Sequence, residues 1–138
     1  MKPSNEIKNV MLHYYESMSR GDAKAIESML STQNGTLAIG SDPNEWWEGY
    51  NTIDRILKAQ LREMSGVQYK AGELETFTEG SVGWAADNPT MQLPDGQEIT
   101  FRETTIFHRE DGDWKMVQHH ISLGVPNTET LGKALTVN

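Results

Sequence analysis

Apolar residues in this chain fall at helical spacing in the first half and at strand spacing in the second. Ile7, Val10, Met11, Tyr14 and Met18 recur at i, i+3, i+4, i+7 and i+11, which predicts a helix over residues 5–20. Ser4 suits its N-cap, Glu6 its first turn and Gly21 its end. Asp22 can cap a short second helix whose Ile26, Met29 and Leu30 face inward, and residues 36–39 read as a strand. A loop from Gly40 to Gly49 carries Trp46 and Trp47. Asn51 and Asp54 can form a variant capping box opening a third helix, with Ile53, Ile56, Leu57, Leu61 and Met64 on its inner side and Gly66 at its end.

Beyond Gly66 the period drops to two. Residues 67–78 and 81–93 read as strands around Glu79-Gly80, and Asp95-Gly96 makes the next turn. Residues 101–122 form two alternating runs joined by Asp111-Gly112, a strong hairpin signal because that turn needs positive φ at both central positions. Three helices followed by an antiparallel meander is an α+β pattern with helices on one side of a sheet. Residues 126–138 read as a tail with one helical turn near 129–135, leaving a single domain at 1–125.

Composition narrows the function classes. Twelve Lys+Arg against twenty Asp+Glu give a formal charge of -8, a surface that repels polyphosphate, so no nucleic-acid partner is expected. No apolar run is long enough to span a membrane, and residues 1–10 lack the apolar core of a signal peptide, so a cytoplasmic location is expected. Zero cysteines remove disulfides, thiolate metal sites and cysteine nucleophiles. His119 and His120 diverge on a strand, and His13 and His108 show no ligand spacing, so neither metal nor cofactor is expected.

The run FRETTIFHREDGDWKMVQHHIS at residues 101–122 resembles the nuclear transport factor 2-like superfamily. Its marks are Arg-x-x-Thr-x-(apolar)-Phe-His, an acidic-Gly turn, Trp-Lys and a closing His-x-Ser. The superfamily includes the polyketide-cyclase-like (SnoaL-like) proteins, ketosteroid isomerase and the calcium/calmodulin-dependent kinase II association domain. The resemblance implies a curved antiparallel sheet forming a cone, three N-terminal helices on its concave face, and a pocket at the open end.

Strand alternation divides the side chains between two faces. Registering Gly112, Lys115 and Gly124 on the matching residues of ketosteroid isomerase puts Lys115, Val117, His119 and Ile121 inside the cone. Arg102, Thr104 and Ile106 then follow them in, and Trp84 joins with Val82 and Ala86. Phe107, Met116, Gln118 and His120 fall on the outer face, with Trp114 near it. Both faces mix apolar and polar residues, so a twin subunit is expected to cover the outer one.

Tyr14 lies seven residues before Gly21-Asp22, as that isomerase's oxyanion-stabilising tyrosine does, and its place on the helix face suits a core tyrosine better still. The position matching the isomerase's catalytic base is Gly40, and its second acid falls on Thr105 or Ile106, so that mechanism is not expected. Asp42 beside Pro43 is a ligand or loop-capping residue. His119 is the remaining acid-base group, and the alternative is a hydrogen-bonded core histidine. Arg102 needs a carboxylate such as Glu45 or Glu48, or an anionic ligand. Trp46, Trp47 and Trp84 are the expected walls, with Thr104 beside Arg102. Two functions stay open. One is a small-molecule-binding homodimer whose apolar pocket carries a cation for a small aromatic or polyketide-like anion. The other is an isomerase, dehydratase or cyclase acting on a carbonyl compound through His119 and Tyr14. A pure assembly module is a third, less favoured because no catalytic domain is attached.

Overall fold

The computed structural model describes residues 1–135. A two-residue strand, β1 (Lys2–Pro3), leads into α1 (Asn5–Arg20), where Ser4 Oγ accepts the Ile7 N–H at 3.2 Å. Ile7, Met11, Tyr14 and Tyr15 bury one face of this helix. Asp22 caps α2 (Ala23–Met29) by accepting the Ala25 N–H at 3.0 Å. β2 (Leu37–Ile39) and β3 (Trp46–Glu48) follow, then α3 (Tyr50–Glu63). The expected capping box does not form: α3 starts two residues earlier, with Gly49 at its N-cap, and Asp54 instead pairs with Lys58 at 2.7 Å.

The two long strands expected after α3 are each broken. The first divides into β4 (Gln68–Lys70) and β5 (Glu75–Glu79), the second into β6 (Val82–Asp87) and β7 (Thr90–Gln92). Pro89 has no N–H for a central ladder, so the chain leaves one sheet at β6 and enters another at β7. β8 (Glu98–Thr100) then precedes the long hairpin of β9 (Arg102–Glu110) and β10 (Asp113–Ser122), and α4 (Asn127–Thr130) makes the helical turn slightly earlier than expected. The turn between β9 and β10 has φ of 50° at Asp111 and 89° at Gly112, the conformation this dipeptide favours.

Seven strands form the main sheet in the order β1-β5-β6-β9-β10-β2-β3, and β4-β7-β8 make a smaller one. All pairs are antiparallel except β10 with β2. The fold is α+β, a curved open sheet with the N-terminal helices on its concave face. No helix among the described residues is long and apolar enough to cross a membrane.

One irregularity sets the faces. Between Met116 and Gln118 the β9–β10 register shifts by one residue, leaving Val117 unpaired. Before this bulge Met116 lies opposite Phe107, and after it His119 lies opposite Thr105. Uninterrupted pairing would set His119 opposite Thr104. The bulge therefore keeps His119 inside but moves the rest of its expected company. Phe101, Glu103, Thr105 and Phe107 are buried, whereas Arg102 and Thr104 are exposed. Trp114 and Met116, expected at the outer face, are core residues. Trp114 Nε1 donates to Glu6 Oε2 at 2.8 Å, and the Arg109 guanidinium lies 4.8 Å from its ring centre. Trp84 alternates out of the core and stacks on Phe77, with centroids 5.9 Å apart.

Phe107 is fully enclosed between the helices and the sheet (0% exposed). Phe107→Ala should lower unfolding free energy by about 3–5 kcal/mol, read from urea titration. Thr104→Ala, one alternation step away from the same core, should change it by less than about 0.5 kcal/mol.

Candidate functional site

A cavity of about 360 Å³ opens between the sheet, α1, α3 and the β2–β3 hairpin. Its inner end is built by α1, β9 and β10. Tyr14 comes from the buried face of α1. Glu103 and His119 project from β9 and β10 at neighbouring positions of the concave face. The Tyr14 and His119 rings meet edge to face, with centroids 5.5 Å apart. Trp47, Leu57, Tyr69, Phe101 and Ile121 supply apolar wall.

The residues expected at the site are only partly brought together. Tyr14, His119 and Trp47 line the cavity. Arg102 and Thr104 do not, because they alternate along the regular strand β9 with the buried Phe101, Glu103, Thr105 and Phe107. Among the described residues no Lys or Arg borders the cavity, so the expected pocket cation is not found there. Trp84 lies on the outer face for the same reason of parity, since Ala85 takes the inward position. Trp46 is 60% exposed, because its neighbour Trp47 takes the inward side of the two-residue alternation in β3. Asp42 caps its own loop, its Oδ1 accepting the backbone N–H of Asn44 at 2.9 Å and the Asn44 amide at 3.1 Å.

Glu103 is a site residue that the sequence reading did not single out. It is 4% exposed, and its Oε1 has no hydrogen-bond partner. Burial, reinforced by the negative charge of Asp87, pushes its carboxyl up to about 8. Asp87 differs in being well satisfied: it accepts from Tyr15 Oη at 2.9 Å, Gly72 N at 3.1 Å and Asn88 N at 2.8 Å. His119 Nδ1 lies 3.7 Å from Glu103 Oε1 and 3.0 Å from Thr105 Oγ1. Burial, helped by His120, pushes His119 down to about 4. At neutral pH the pair is therefore a carboxylic acid beside an uncharged imidazole, rather than a salt bridge. Burial also raises Tyr14 well above the usual phenol range, so its hydroxyl stays a donor. The signal for Glu103 was its alternation with Phe101, Thr105 and Phe107, an acid in step with the most buried residues of β9. No cluster of metal-binding side chains occurs among the described residues.

Residues 7–126 match the SnoaL-like domain family. The chain belongs to that family. No curated protein sequence matches it. Among solved structures, this family member is similar to a nuclear transport factor 2-like protein of unknown function from Pseudomonas putida. That pair shares 17% identity at a TM-score of 0.82, over 97% of this chain and 96% of the other. A Streptomyces avermitilis protein of the same superfamily, provisionally named a dehydratase, is similar at 17% identity and a TM-score of 0.74, over 87% and 94% of the two chains. A Parabacteroides distasonis protein, provisionally named a ketosteroid isomerase, is similar at 16% identity and a TM-score of 0.72, over 87% and 86%. At such identities the likeness establishes the fold, and the chemistry rests on the site.

The two shifted groups act on stability in opposite senses. Folded Glu103 keeps a proton that the unfolded chain releases near 4.5, so its contribution falls as pH rises from about 4.5 to about 8. Folded His119 resists a proton that the unfolded chain binds near 6.5, so its contribution grows as pH rises from about 4 to 6.5. The slopes oppose each other up to 6.5, and only the Glu103 decline remains between 6.5 and about 8. Urea titrations across pH 6.5–8 should show this decline in the native protein and a flatter profile in Glu103→Gln. An equal decline in both would show that Glu103 is not the group responsible.

Proposed function

We propose that this SnoaL-like protein moves protons on a small carbonyl compound, as an isomerase or a dehydratase, within the mostly apolar cavity. The observation that carries this reading is Glu103: a buried carboxyl whose Oε1 has no hydrogen-bond partner and lies 3.7 Å from His119 Nδ1 on the cavity wall. A group with a pKa of about 8 is close to the value at which donation and recapture of a proton are both easy near neutral pH. A structural ion pair would have joined the two groups and satisfied both.

In this reading His119, uncharged at neutral pH, takes a proton from the carbon next to the carbonyl. If Nδ1–H donates to Thr105, Nε2 holds the free lone pair. Glu103 and Tyr14 donate hydrogen bonds to the carbonyl oxygen, where negative charge collects. Returning the proton to a different carbon completes an isomerisation. In a dehydration, Glu103 gives its proton to a departing β-hydroxyl, water leaves, and His119 returns its proton to Glu103. The cavity's lack of Lys or Arg supports a substrate without an anionic group, in place of the anion expected from the sequence.

The minimal step is exchange of an α-proton for deuterium in a small ketone, followed by proton NMR in heavy water. His119→Ala and Glu103→Gln should each slow it by about 10²–10⁴-fold. Because Glu103 acts as an acid, the rate should fall as pH rises through about 8. A ketone that binds without exchanging at any pH would instead favour a binding protein without turnover.

The proposal extends to a homodimer through the outer sheet face. Phe77, Trp84, Ile106 and Gln118 form a half-buried row across β5, β6, β9 and β10 on the side away from the helices. Phe107 and Met116, expected in this contact, are instead part of the core. Light scattering at micromolar concentration should give twice the 15.5 kDa chain mass, and Trp84→Arg should return it to one. A native protein of single-chain mass would refute the dimer.

A further inference from the structure

Gly40 is placed where its missing side chain matters. Its φ lies outside the left-handed region, so the backbone conformation does not demand glycine. The space beside its Cα is filled by the side chain of Glu45 from across the β2–β3 hairpin. A Cβ at position 40 would overlap Glu45 Oε2 and lie 2.7 Å from both its Cβ and its Cδ. Gly40 N–H donates to the Glu45 carbonyl at 2.9 Å, which fixes the two residues face to face. Glu45 Oε2 accepts the Asp42 N–H at 3.0 Å, and Oε1 accepts from Gln60 Nε2 at 3.4 Å. The carboxylate is thus seated on the cavity wall by its neighbours.

We propose that Glu45, in the space left by Gly40, selects ligand charge, and that the cavity takes a small amine with an aromatic or alicyclic body. The inference rests on the same cavity as the proposed proton transfer and names the class of compound that would enter it. Glu63 also borders the cavity, and no Lys or Arg offsets the two carboxylates. Tyr14, Trp47 and Tyr69 line the same space, and aromatic rings attract ammonium groups. Acidic residues alone would not make a site. Glu103 adds an independent sign of a ligand, a nearly fully buried carboxyl oxygen without a partner at the inner end. An amine held at the Glu45 end leaves the far side of the molecule to meet Glu103 and His119. A carboxylate in its place would face like charge.

The test compares 2-naphthylmethylamine, 2-naphthylmethanol and 2-naphthoate by titration calorimetry, so that one ring carries three charges. The amine should bind at least about tenfold more tightly than the carboxylate, with the alcohol between them, and added salt should narrow the gap. Glu45→Gln should bring the amine to within about twofold of the alcohol. Gly40→Ala should do the same by evicting the side chain, although the charge remains in the chain. Melting curves confirm that each variant is folded, and the two variants fail independently. Binding of naphthoate equal to or tighter than the amine overturns the proposal, as does absence of amine binding. Retention of the full amine preference in both folded variants overturns the role of Glu45. Proton exchange is not read in these titrations, so a failure here leaves the catalytic reading standing, and the reverse also holds.

Discussion

The unpaired residue Val117 in β10 is the constraint on which the site depends. A strand puts every second side chain on one face, so one inserted residue exchanges the faces of everything beyond it. Here Trp114 and Met116 point into the core before the bulge, and His119 and Ile121 face the cavity after it. The backbone at the bulge is held from outside the hairpin. Ser31 N–H donates to the Met116 carbonyl at 2.9 Å, and Leu30 forms an isolated bridge with Met116. β2 then pairs parallel with residues 118–120. The segment after α2 therefore accompanies the register shift and brings Ala38 and Ile39 alongside the cavity walls.

That register puts an acid where burial is expensive. A buried carboxyl with an oxygen left unpaired is tolerated in such a place by staying protonated, which is the direction in which Glu103 is driven. His119, bonded on its Nδ1 side to Thr105, is driven to its own neutral form. Each group avoids charge, so neither is committed to the other. Asp87 shows the contrast within the same sheet, because three hydrogen-bond donors surround it and none is spare for a ligand. A core optimised only for stability would place a leucine or glutamine at position 103.

Superfamily membership and site chemistry rest on different parts of the chain. The hairpin, the caps of the first two helices and the curved sheet make the cone. The residues that face into its opening are set by parity, by the β2–β3 hairpin and by what packs behind them. Structures with the same cone carry different provisional names, so the cone does not select a reaction. In this chain the interior combines neutral acid–base groups at the closed end with carboxylates nearer the mouth. Arg102, the expected anchor for an anion, is on the opposite side of the sheet.

Much of the architecture was legible along the chain because its causes are local. Ser4 and Asp22 cap their helices through atoms three residues away, and Asp111-Gly112 selects its turn through the φ angles it can adopt. Asn51 and Asp54 were misleading for a similar reason. A capping pattern competes with tertiary contacts, and Asp54 finds Lys58 while Gly49 begins the helix. The breaks at residues 71–74 and 88–89 were foreshadowed by Gly72 and Pro89, but alternation alone ran through them. The face of each β9 side chain was undetermined by the sequence. Which β9 face His119 shares depends on a bulge in β10 whose hydrogen bond comes from Ser31, 85 positions before Met116 in the chain. Helix ends and turns are decided within a few residues, whereas register is decided by whichever distant backbone takes up the unpaired carbonyl. Local sequence thus determined the helix caps and the hairpin turn, the family resemblance implied the cone, and tertiary structure alone chose Glu103 over Arg102 for its interior.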